Sequence, residues 1–558
     1  MKVIINSFKL FFLKKPKTSI LLLSLLFLVP SFSLYFVSED LNFALRYNHL
    51  DFPVILKNIW FPTSQFIDQR GLFRPIFFTI NIIDYKLWGL NSFGYHLTNA
   101  LFHLLNLLLV YFFALQIFQR KQIAIGCSLL FLFHPIIANS VYWISGRTDI
   151  ISCSFYLISL ILINKFLVKN HLIFLIFSGI SFLAALLSKE IAITLPLVHI
   201  WQVVYWKYVL NRYIDLKKSI SIILIFDFFI VLLFLFYRFL VFGGNLFQIE
   251  GIYHIDSFYH LLINTVKIFS FLVIPFGHEY FELFVYQYKL YLIFIIVTLG
   301  FGITYLLIKK KVFGKTEFFI LILILVTVLP LLKLTMRWYM YIPTIPFAML
   351  IVYVVNSVWN RAKLIKLFIL LYFVSIGYGS LVQYRTWLTN SKINNKLVTQ
   401  LVRMIHKEKN SNLFIIVNFP AKVHRTATFI AGFEELIQLH LKDKSKSVIR
   451  LVNVIHQYGM EPIKVDIDAE KLELAVISGN SYFLLGTYRQ IFGIDNLTSG
   501  DSISLDIGNM QIEEVNQSGR AVKIAFEYGE KLLSLDPMFL YFNEDSLTYK
   551  KINGFAYN

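Results

Sequence analysis

The sequence predicts a polytopic α-helical membrane protein with about eleven transmembrane helices, one re-entrant or interfacial helix and a C-terminal soluble α/β domain. Of its 558 residues, 57% are hydrophobic and only 15% are charged. Apolar runs recur that are long enough to cross a bilayer, which takes about 20 residues of helix. Charged residues cluster between these runs, as hydropathy rules predict for spanning helices. From residue 391 onward the composition becomes that of a soluble domain.

The net charge of +19 is concentrated in the membrane part of the chain. Residues 391–558 contain 19 basic and 19 acidic residues, so the whole excess lies in residues 1–390. Basic residues in short loops orient membrane proteins with their positive loops in the cytoplasm. The charge is therefore explained by topology, and no nucleic-acid partner is indicated.

The predicted spans alternate with short connections, and five connections rich in Lys and Arg fall on the cytoplasmic side if the N-terminus is inside. The first apolar run, Ile20 to Val37, resembles a signal peptide but is long and lacks a small-residue cleavage site, so we interpret it as a retained helix. The run from Leu261 to Pro275 would break the alternation if it crossed, and we expect a re-entrant or interfacial helix there. The predicted spans are 18–37, 94–117, 121–142, 148–168, 171–187, 191–208, 219–241, 290–308, 316–334, 338–357 and 364–382.

Residues 391–558 predict an extracytoplasmic α/β domain. The stretch "NLFIIVNFP" is typical of a buried strand, "ATFIAGFEELIQLHL" of an amphipathic helix, and "SISLDIGNMQIEEV" of strands or a hairpin. We expect this domain to fold alone and to guide the choice of acceptor or partner. Cys127 and Cys153 both lie in apolar runs, so neither a disulfide framework nor a thiolate metal site is indicated.

Two adjacent carboxylates, Glu39 and Asp40, follow the first span and open a long external loop over residues 38–93. Such a pair can be an ordinary solvated loop. It can equally be a general base held where the bilayer ends, at which a hydroxyl acceptor arrives from water.

The second span carries a polar face. His96, Asn99, His103 and Asn106 recur at spacings of three and four, which places them on one side of a helix. Polar side chains in membrane helices usually face the bundle interior and bond to other helices. The two interpretations are that they join helices and that they line a hydrophilic cavity.

The stretch "HPIIANSVYWISGRTDIIS" brings polar groups to the end of the third span. His134 precedes a proline that frees a backbone carbonyl, which neighbouring polar groups must satisfy. Arg147 and Asp149 fall in the tight external turn that follows, and "LLSKEIAITLP" repeats the pattern with Lys189 and Glu190. An Arg-Asp pair in a turn is more often structural, but arginine also matches the geometry of a phosphate.

Arg238 and Arg337 sit at the outer ends of two further helices. Each alone is explained by snorkelling to the interface. Several cations and carboxylates on one face of the bundle instead suit a site that holds an anionic lipid headgroup beside an acid/base residue.

The order of these segments over residues 18–390 resembles the membrane domain of the transmembrane O-mannosyltransferases that carry tetratricopeptide repeats, and of their bacterial relatives. Those proteins are GT-C glycosyltransferases, which take sugar from a polyprenyl-phosphate donor. The tetratricopeptide repeats are not seen, and residues 391–558 stand in their place. The segments that carry the resemblance are "SED", "RGLFRPIFFTINIIDYKLWGLNSFGYHLTNALFHLLN", "FHPIIANSVYWISGRTDIIS", "LLSKEIAITLP", "YRFLVFGG" and "RWYMYIPTIP".

The resemblance implies roles for individual residues. Glu39 and Asp40 match the acidic pair of the first external loop, which supplies the catalytic carboxylate. The usual pair is Asp-Asp, so which of the two is the base stays open. Four cations are implied as ligands of the donor phosphate: Arg147, Lys189, Arg238 and Arg337. The expected cavity-lining residues are His96, Asn99, His103, His134, Asp149 and Glu190.

The sequence therefore predicts an inverting membrane glycosyltransferase that moves sugar from a polyprenyl phosphate to an acceptor hydroxyl of a protein, lipid or glycan. The alternative is a transporter or flippase of lipid-linked sugars, although the repeated broken halves common in transporters are not visible. The donor is a lipid-phosphate sugar, and no cofactor is certain. Carboxylates permit a divalent cation, but no full set of oxygen ligands is readable. Residue usage indicates a bacterial inner membrane, and the positions of the basic loops indicate a cytoplasmic N-terminus and a periplasmic C-terminal domain.

Overall fold

A computed structural model describes residues 14–41, 50–62, 72–243, 258–275, 314–333, 335–359 and 363–408 and, with short gaps, residues 411–552. The chain divides into two compact units. The first comprises Met1–Ser33 and Leu50–Arg385, and the second comprises Leu34–His49 and Thr386–Asn558. The segment with the acidic pair is thus grouped with the C-terminal part of the chain. The predicted span 290–308 lies outside the described residues.

The first unit is helical, and its last helix continues into the second unit. The described helices are α1 Pro16–Leu28, α2 Phe52–Trp60, α3 Pro75–Trp88, α4 Ser92–Phe118, α5 Lys121–Phe133, α6 Ala138–Val141, α7 Arg147–Lys169, α8 Leu172–Leu186, α9 Leu195–Tyr208, α10 Leu216–Val241, α11 Phe258–Val273, α12 Lys315–Val328, α13 Thr344–Val358 and α14 Lys363–Lys407. Short 3-10 turns at Val29–Ser33, Pro135–Ile137, Glu190–Thr194, Leu329–Leu331 and Arg337–Met340 extend or connect them.

Five of the described helices are long and apolar enough to cross a membrane, and a sixth results if one bent pair is a single span. The predicted helical membrane protein is confirmed in this coarse form, whereas the count of about eleven spans stays a prediction. Helix α11 has 16 residues, fewer than the roughly 20 that a span requires, so a re-entrant or interfacial helix also stays a prediction there.

The bent pair consists of α5 and the segment Pro135–Val141, which meet at 53°. His134 lies at the break and is buried. Its Nδ1 accepts a hydrogen bond from the amide of Ile136 at 3.4 Å, and its Nε2 lies 2.9 Å from the carbonyl oxygen of Leu272. The His134 side chain thus bonds to the backbone just after the proline and to the backbone of α11.

The predicted external loop 38–93 contains two helices among its described residues, α2 and α3. Both begin with a proline in their first turn, where the missing amide proton costs nothing and the fixed φ suits a helix. Polar residues interrupt the apolar sequence of α3, so hydropathy did not predict a helix there. Helix α14 likewise continues past the predicted end of the last span at residue 382.

The described part of the second unit contains several sheets and helix α15 Phe433–Leu441. The strands are β1 Leu413–Ile416, β2 Phe419–Pro420, β3 Lys422–Val423, β4 Thr426–Ala427, β5 Ser447–Arg450, β6 Asn453–His456, β7 Ile463–Ile467, β8 Lys471–Val476, β9 Ser481–Leu484, β10 Ser502–Leu505, β11 Gly508–Val515, β12 Ala521–Tyr528, β13 Met538–Asn543 and β14 Thr548–Lys551. One sheet has the order β14-β13-β1-β5 with β1 parallel to both neighbours, and a fully antiparallel sheet has the order β10-β11-β12-β8-β7. Two small sheets pair β2-β6-β9 and β3-β4.

The predicted C-terminal sheet domain is confirmed, and its elements follow the sequence pattern. The stretch "NLFIIVNFP" forms β1 and β2, and "SISLDIGNMQIEEV" forms the antiparallel pair β10 and β11. The predicted amphipathic helix is described over Phe433–Leu441. The first residue of the predicted stretch, Ala427, belongs to β4, and residues 428–432 lie outside the described residues. Side chains from both large sheets, among them Ile415, Leu474 and Phe526, share one apolar core.

Candidate active site

Arg147, the first residue of α7, is 1% exposed. Its Nη1 donates to Asp84 Oδ2 at 2.6 Å and to Asn81 Oδ1 at 2.9 Å. Its Nε donates to Asn99 Oδ1 at 2.8 Å, and its Nη2 donates to the carbonyl oxygen of Tyr95 at 2.8 Å. A guanidinium has five N–H donors, so these contacts occupy most of them and join α7 to α3 and α4. They favour a structural role, and direct phosphate binding by Arg147 stays a prediction.

Gly146 allows the turn before α7 to close. A Cβ at this position would lie 2.9 Å from the Cα and 2.9 Å from the carbonyl oxygen of Ser140. Such distances are too short for any residue with a side chain, because the obstructing atoms are backbone. The close approach of the two segments therefore requires glycine and fixes where α7, and with it Arg147, begins.

Lys189 is paired with Asp149 on the neighbouring helix. Its Nζ lies 2.5 Å from Asp149 Oδ2, and both side chains are buried. The same ammonium lies 4.1 Å from the centre of the Tyr339 ring, a cation–π contact that partly replaces its lost hydration. Tyr339 belongs to the 3-10 turn that begins at Arg337. Lys189 therefore contacts the same short turn that carries Arg337.

Glu190 is bound by an arginine from the start of α3. Arg74 donates to Glu190 Oε2 from Nη2 at 2.8 Å and from Nε at 3.1 Å. Arg238, near the end of α10, interacts electrostatically with the same carboxylate and lies 4.8 Å from the centre of the Phe242 ring. Arg238 is buried, whereas the Glu190 side chain keeps 35% of its surface exposed.

These five side chains form a single electrostatic group, which we call the cation cluster: Arg74, Asp149, Lys189, Glu190 and Arg238. Arg74 also acts on Asp149, which links the Lys189 pair to the Glu190 pair. Three of these five side chains are basic and two are carboxylates. Charge is expensive to bury unless it is compensated. The pairing of Lys189 with Asp149 and of Arg74 with Glu190 supplies such compensation.

The polar face of α4 is buried. His103 Nδ1 lies 2.6 Å from the Tyr341 hydroxyl, and the Asn106 amide donates to the carbonyl oxygen of Ile150 at 2.8 Å. The Asn99 amide donates to the carbonyl oxygens of Val141 and Trp143, each at 3.2 Å. These contacts join helices, which favours the first of the two interpretations for this face. His96 lies on the same face, and a cavity lined by these residues stays a prediction.

The acidic pair lies in a tight turn of the second unit. The amide of Asp40 donates to the carbonyl oxygen of Val37 at 3.2 Å, and the amide of Val37 donates back to Asp40 Oδ2 at 2.9 Å. Ser38 has a φ of 55°, a left-handed conformation that costs a residue with a side chain about 1–3 kcal/mol. Asp40 is 3% exposed, whereas Glu39 is partly exposed. The turn thus fixes the orientation of the Asp40 carboxylate.

Sequence reasoning missed Arg74, Asn81 and Asp84. The available signals were weak: an Arg-Pro step at the start of a helix, and two polar residues three apart in an otherwise apolar segment. Such a segment inside a membrane unit indicates a buried partner with many donors, and Arg147 is that partner.

A metal site is not assembled among the described residues, because no three side chains of the His, Cys, Asp and Glu types converge within them. The acidic pair by itself supplies too few oxygen ligands for a hard cation such as Mg²⁺ or Ca²⁺. A divalent cation therefore stays a prediction.

The apolar helices, the buried charges between them and the C-terminal sheets define an integral membrane protein with a separate sheet domain. No protein-family model matches the chain. The chain is 30% identical over 126 residues to the protein O-mannosyl-transferase Tmtc1 of Drosophila melanogaster, which is 23% of this chain and 15% of the fly protein. It is 29% identical over 133 residues to the human protein O-mannosyl-transferase TMTC1, covering 22% and 15% of the two chains.

The predicted resemblance to the O-mannosyltransferases is thereby confirmed. The match spans less than a sixth of the length of these two relatives. Among solved structures, the chain is similar to ArnT from Cupriavidus metallidurans bound to undecaprenyl phosphate. That similarity has a TM-score of 0.41 and 11% identity, covering 81% of this chain and 96% of the other. Both relatives are named as protein O-mannosyl-transferases.

Proposed function

We propose that this chain is an integral-membrane glycosyltransferase that moves a sugar from a polyprenyl-phosphate donor to an acceptor hydroxyl. The observation that carries the proposal is the cation cluster, which brings Arg74, Lys189 and Arg238 together with two carboxylates at the ends of apolar helices. Arginine and lysine side chains are the usual protein ligands of phosphate, and the phosphate of a lipid-borne donor is an anion delivered by the membrane itself. The relatives named as O-mannosyl-transferases support the same class of reaction.

Asp40 is the proposed general base, with Glu39 as the alternative. The carboxylate takes the proton of the acceptor hydroxyl, and the acceptor oxygen forms a bond to the anomeric carbon. The bond from that carbon to the donor phosphate breaks at the same time, and the phosphate leaves with the bonding electron pair. A single displacement of this kind inverts the anomeric configuration. The Val37 amide supports this role because it orients the Asp40 carboxylate.

Lys189, Arg238 and Arg337 are the proposed ligands of the leaving phosphate, and we add Arg74 to the proposal because it belongs to the cation cluster. Donors fixed in advance in a poorly hydrated site stabilise developing negative charge most strongly. Lys189 and Arg238 are held by a carboxylate or an aromatic ring, so they need little reorganisation when a phosphate arrives. Arg147 would support these ligands indirectly, because its hydrogen bonds hold α3, α4 and α7 together.

We place the reaction on the extracytoplasmic face of a bacterial inner membrane, with a protein, lipid or glycan as acceptor. A phosphatase reporter that is active only outside the cytoplasm tests this orientation. Fused after Lys407, at the end of α14, it should be active; fused at Asn170, between α7 and α8, it should be silent. The reverse pattern would contradict the proposed orientation.

The function is tested with purified protein in nanodiscs and a panel of polyprenyl-phosphate sugars. Mass spectrometry of the extracted lipids should show free polyprenyl phosphate and a sugar transferred to acceptor or water, and the Asp40→Asn protein is the matched control. Fluorescent lipid-linked sugar in proteoliposomes provides the second arm. Movement of that lipid across the bilayer without any release of polyprenyl phosphate would reject the transferase and favour the transporter or flippase.

A further inference from the structure

The turn that carries Glu39 and Asp40 is anchored through Tyr35, five residues before Asp40. The amide of Tyr35 donates to the Ser391 hydroxyl oxygen at 2.6 Å. The Tyr35 hydroxyl lies 3.3 Å from His440 Nε2. Both ends of the tyrosine are therefore held by hydrogen bonds to residues far away in the sequence.

The two anchors belong to different helices of the second unit. Ser391 lies on α14 and is buried, and His440 lies in the last turn of α15 and is half-buried. The anchored segment is itself largely inaccessible, since Leu34, Phe36 and Val37 are buried. A polar bond in such surroundings is directional and is not easily exchanged for water.

We infer that Tyr35, Ser391 and His440 are positioning residues for the acidic pair, so that the C-terminal unit sets the geometry of the proposed catalytic carboxylate. The inference rests on the proposed function of Asp40. Tyr35 is two residues from Val37, whose amide binds the Asp40 carboxylate, so a shift of the tyrosine moves the carboxylate. Misplacement of a reacting group by about 1 Å costs on the order of 100-fold in rate. The C-terminal unit then contributes to the chemistry itself as well as to acceptor choice.

The test compares Tyr35→Phe and Ser391→Ala with the wild-type full-length protein. Each variant loses one hydrogen bond that holds the turn, and one such bond shifts a conformational equilibrium about fivefold. Because the anchored turn is then less populated, we expect kcat to fall about 5- to 10-fold while the donor KM stays unchanged. Ser391→Thr keeps a hydroxyl and should recover most of the turnover lost in Ser391→Ala. His406→Phe, an exposed histidine on the same helix α14, is the matched control and should turn over at the wild-type rate.

A double-mutant cycle separates positioning from general destabilisation. In an Asp40→Asn background Tyr35→Phe should cost nothing further, because its effect acts through the carboxylate. An equal loss of turnover in both backgrounds would overturn the inference, as would wild-type kcat in both Tyr35→Phe and Ser391→Ala.

Hydrogen exchange of residues 34–41 provides a readout that does not depend on turnover. Ser391→Ala should raise exchange at the Tyr35 amide, and His406→Phe should not. If the wild-type protein transfers no sugar but exchange rises as expected, the proposed function fails while the anchoring of the turn stands. If the wild-type protein is active and neither exchange nor kcat changes in the variants, the positioning role fails alone.

Discussion

His199 on α9 and Asp227 on α10 form a buried pair, with Nδ1 2.8 Å from Oδ2. The second ring nitrogen of His199 lies 3.2 Å from the Ser159 hydroxyl on α7, so the imidazole connects three helices. Asp227→Leu leaves the imidazole with an unsatisfied nitrogen, and we expect the free energy of unfolding to fall by about 1–3 kcal/mol.

Thermal unfolding of the purified protein in one fixed detergent measures the effect of Asp227→Leu. The double variant His199→Phe, Asp227→Leu is the control, and we expect it to be more stable than the single variant because no buried polar group is left alone. A double variant less stable than the single one would contradict this account.

Arg147 should behave as a structural residue. Arg147→Met leaves the Asp84 carboxylate buried without its counter-charge, so we expect a loss of about 3–5 kcal/mol. Arg147→Lys should recover only part of this loss, because an ammonium cannot reproduce the fork of donors to α3 and α4. Size-exclusion profiles and thermal unfolding measure both variants. A stable Arg147→Met protein with a raised donor KM would instead support direct phosphate binding.

Asp40→Asn should abolish most turnover without loss of donor affinity. General-base catalysis typically contributes about 100- to 10,000-fold, and we expect kcat to fall by that order. Glu39→Gln is the comparison and should cost less. Steady-state kinetics and donor binding at matched expression measure both variants, and a greater loss in Glu39→Gln would assign the base to Glu39.

Arg238→Gln should weaken the interaction with the donor phosphate. Loss of one charge-assisted hydrogen bond corresponds to about a 10- to 100-fold drop in kcat/KM. Lys315→Gln, which removes an exposed lysine at the start of α12, is the control for net charge. A kcat/KM for Arg238→Gln equal to that of Lys315→Gln would remove Arg238 from the phosphate site.

The second unit should lose stability in mild acid because of His440. Burial lowers the pKa of His440, so the folded chain binds a proton at this position less readily than the unfolded chain. Stability is therefore retained above the unfolded pKa of about 6.5 and declines as the pH falls below it. The difference in Tm between wild-type protein and His440→Gln at pH 7.5 and pH 5.5 isolates this contribution. A difference that does not change with pH would contradict the prediction.

The sequence was sufficient for the coarse fold, a helical membrane part followed by a C-terminal sheet domain, because apolar helices and strands are set by local period and length. It was insufficient for the partners of charged residues. Adjacency suggested that Arg147 and Asp149 share one turn, yet Arg147 binds Asp84, which precedes it by 63 residues. Asp149 binds Lys189. Such pairings depend on which helices pack together, and no local pattern encodes that.

The acidic pair illustrates the same limit. Its position after the first span was readable, since a hydrophobic run ends there. Its anchoring by Ser391 was not, because 356 residues separate Tyr35 from that serine. Helix α3 was not predicted for a related reason. The polar residues that bind Arg147 made this otherwise apolar helix resemble a loop.

The two cysteines of the chain, Cys127 on α5 and Cys153 on α7, are both free and fully buried. A maleimide or a spin label that reacts from water will not reach them in the folded protein. A single cysteine introduced at an exposed position, such as His406 in the second unit or Leu87 in the first, can therefore be derivatised in the natural background. Pairs of such labels make the separation of the two units, with and without donor, directly measurable by pulsed electron paramagnetic resonance.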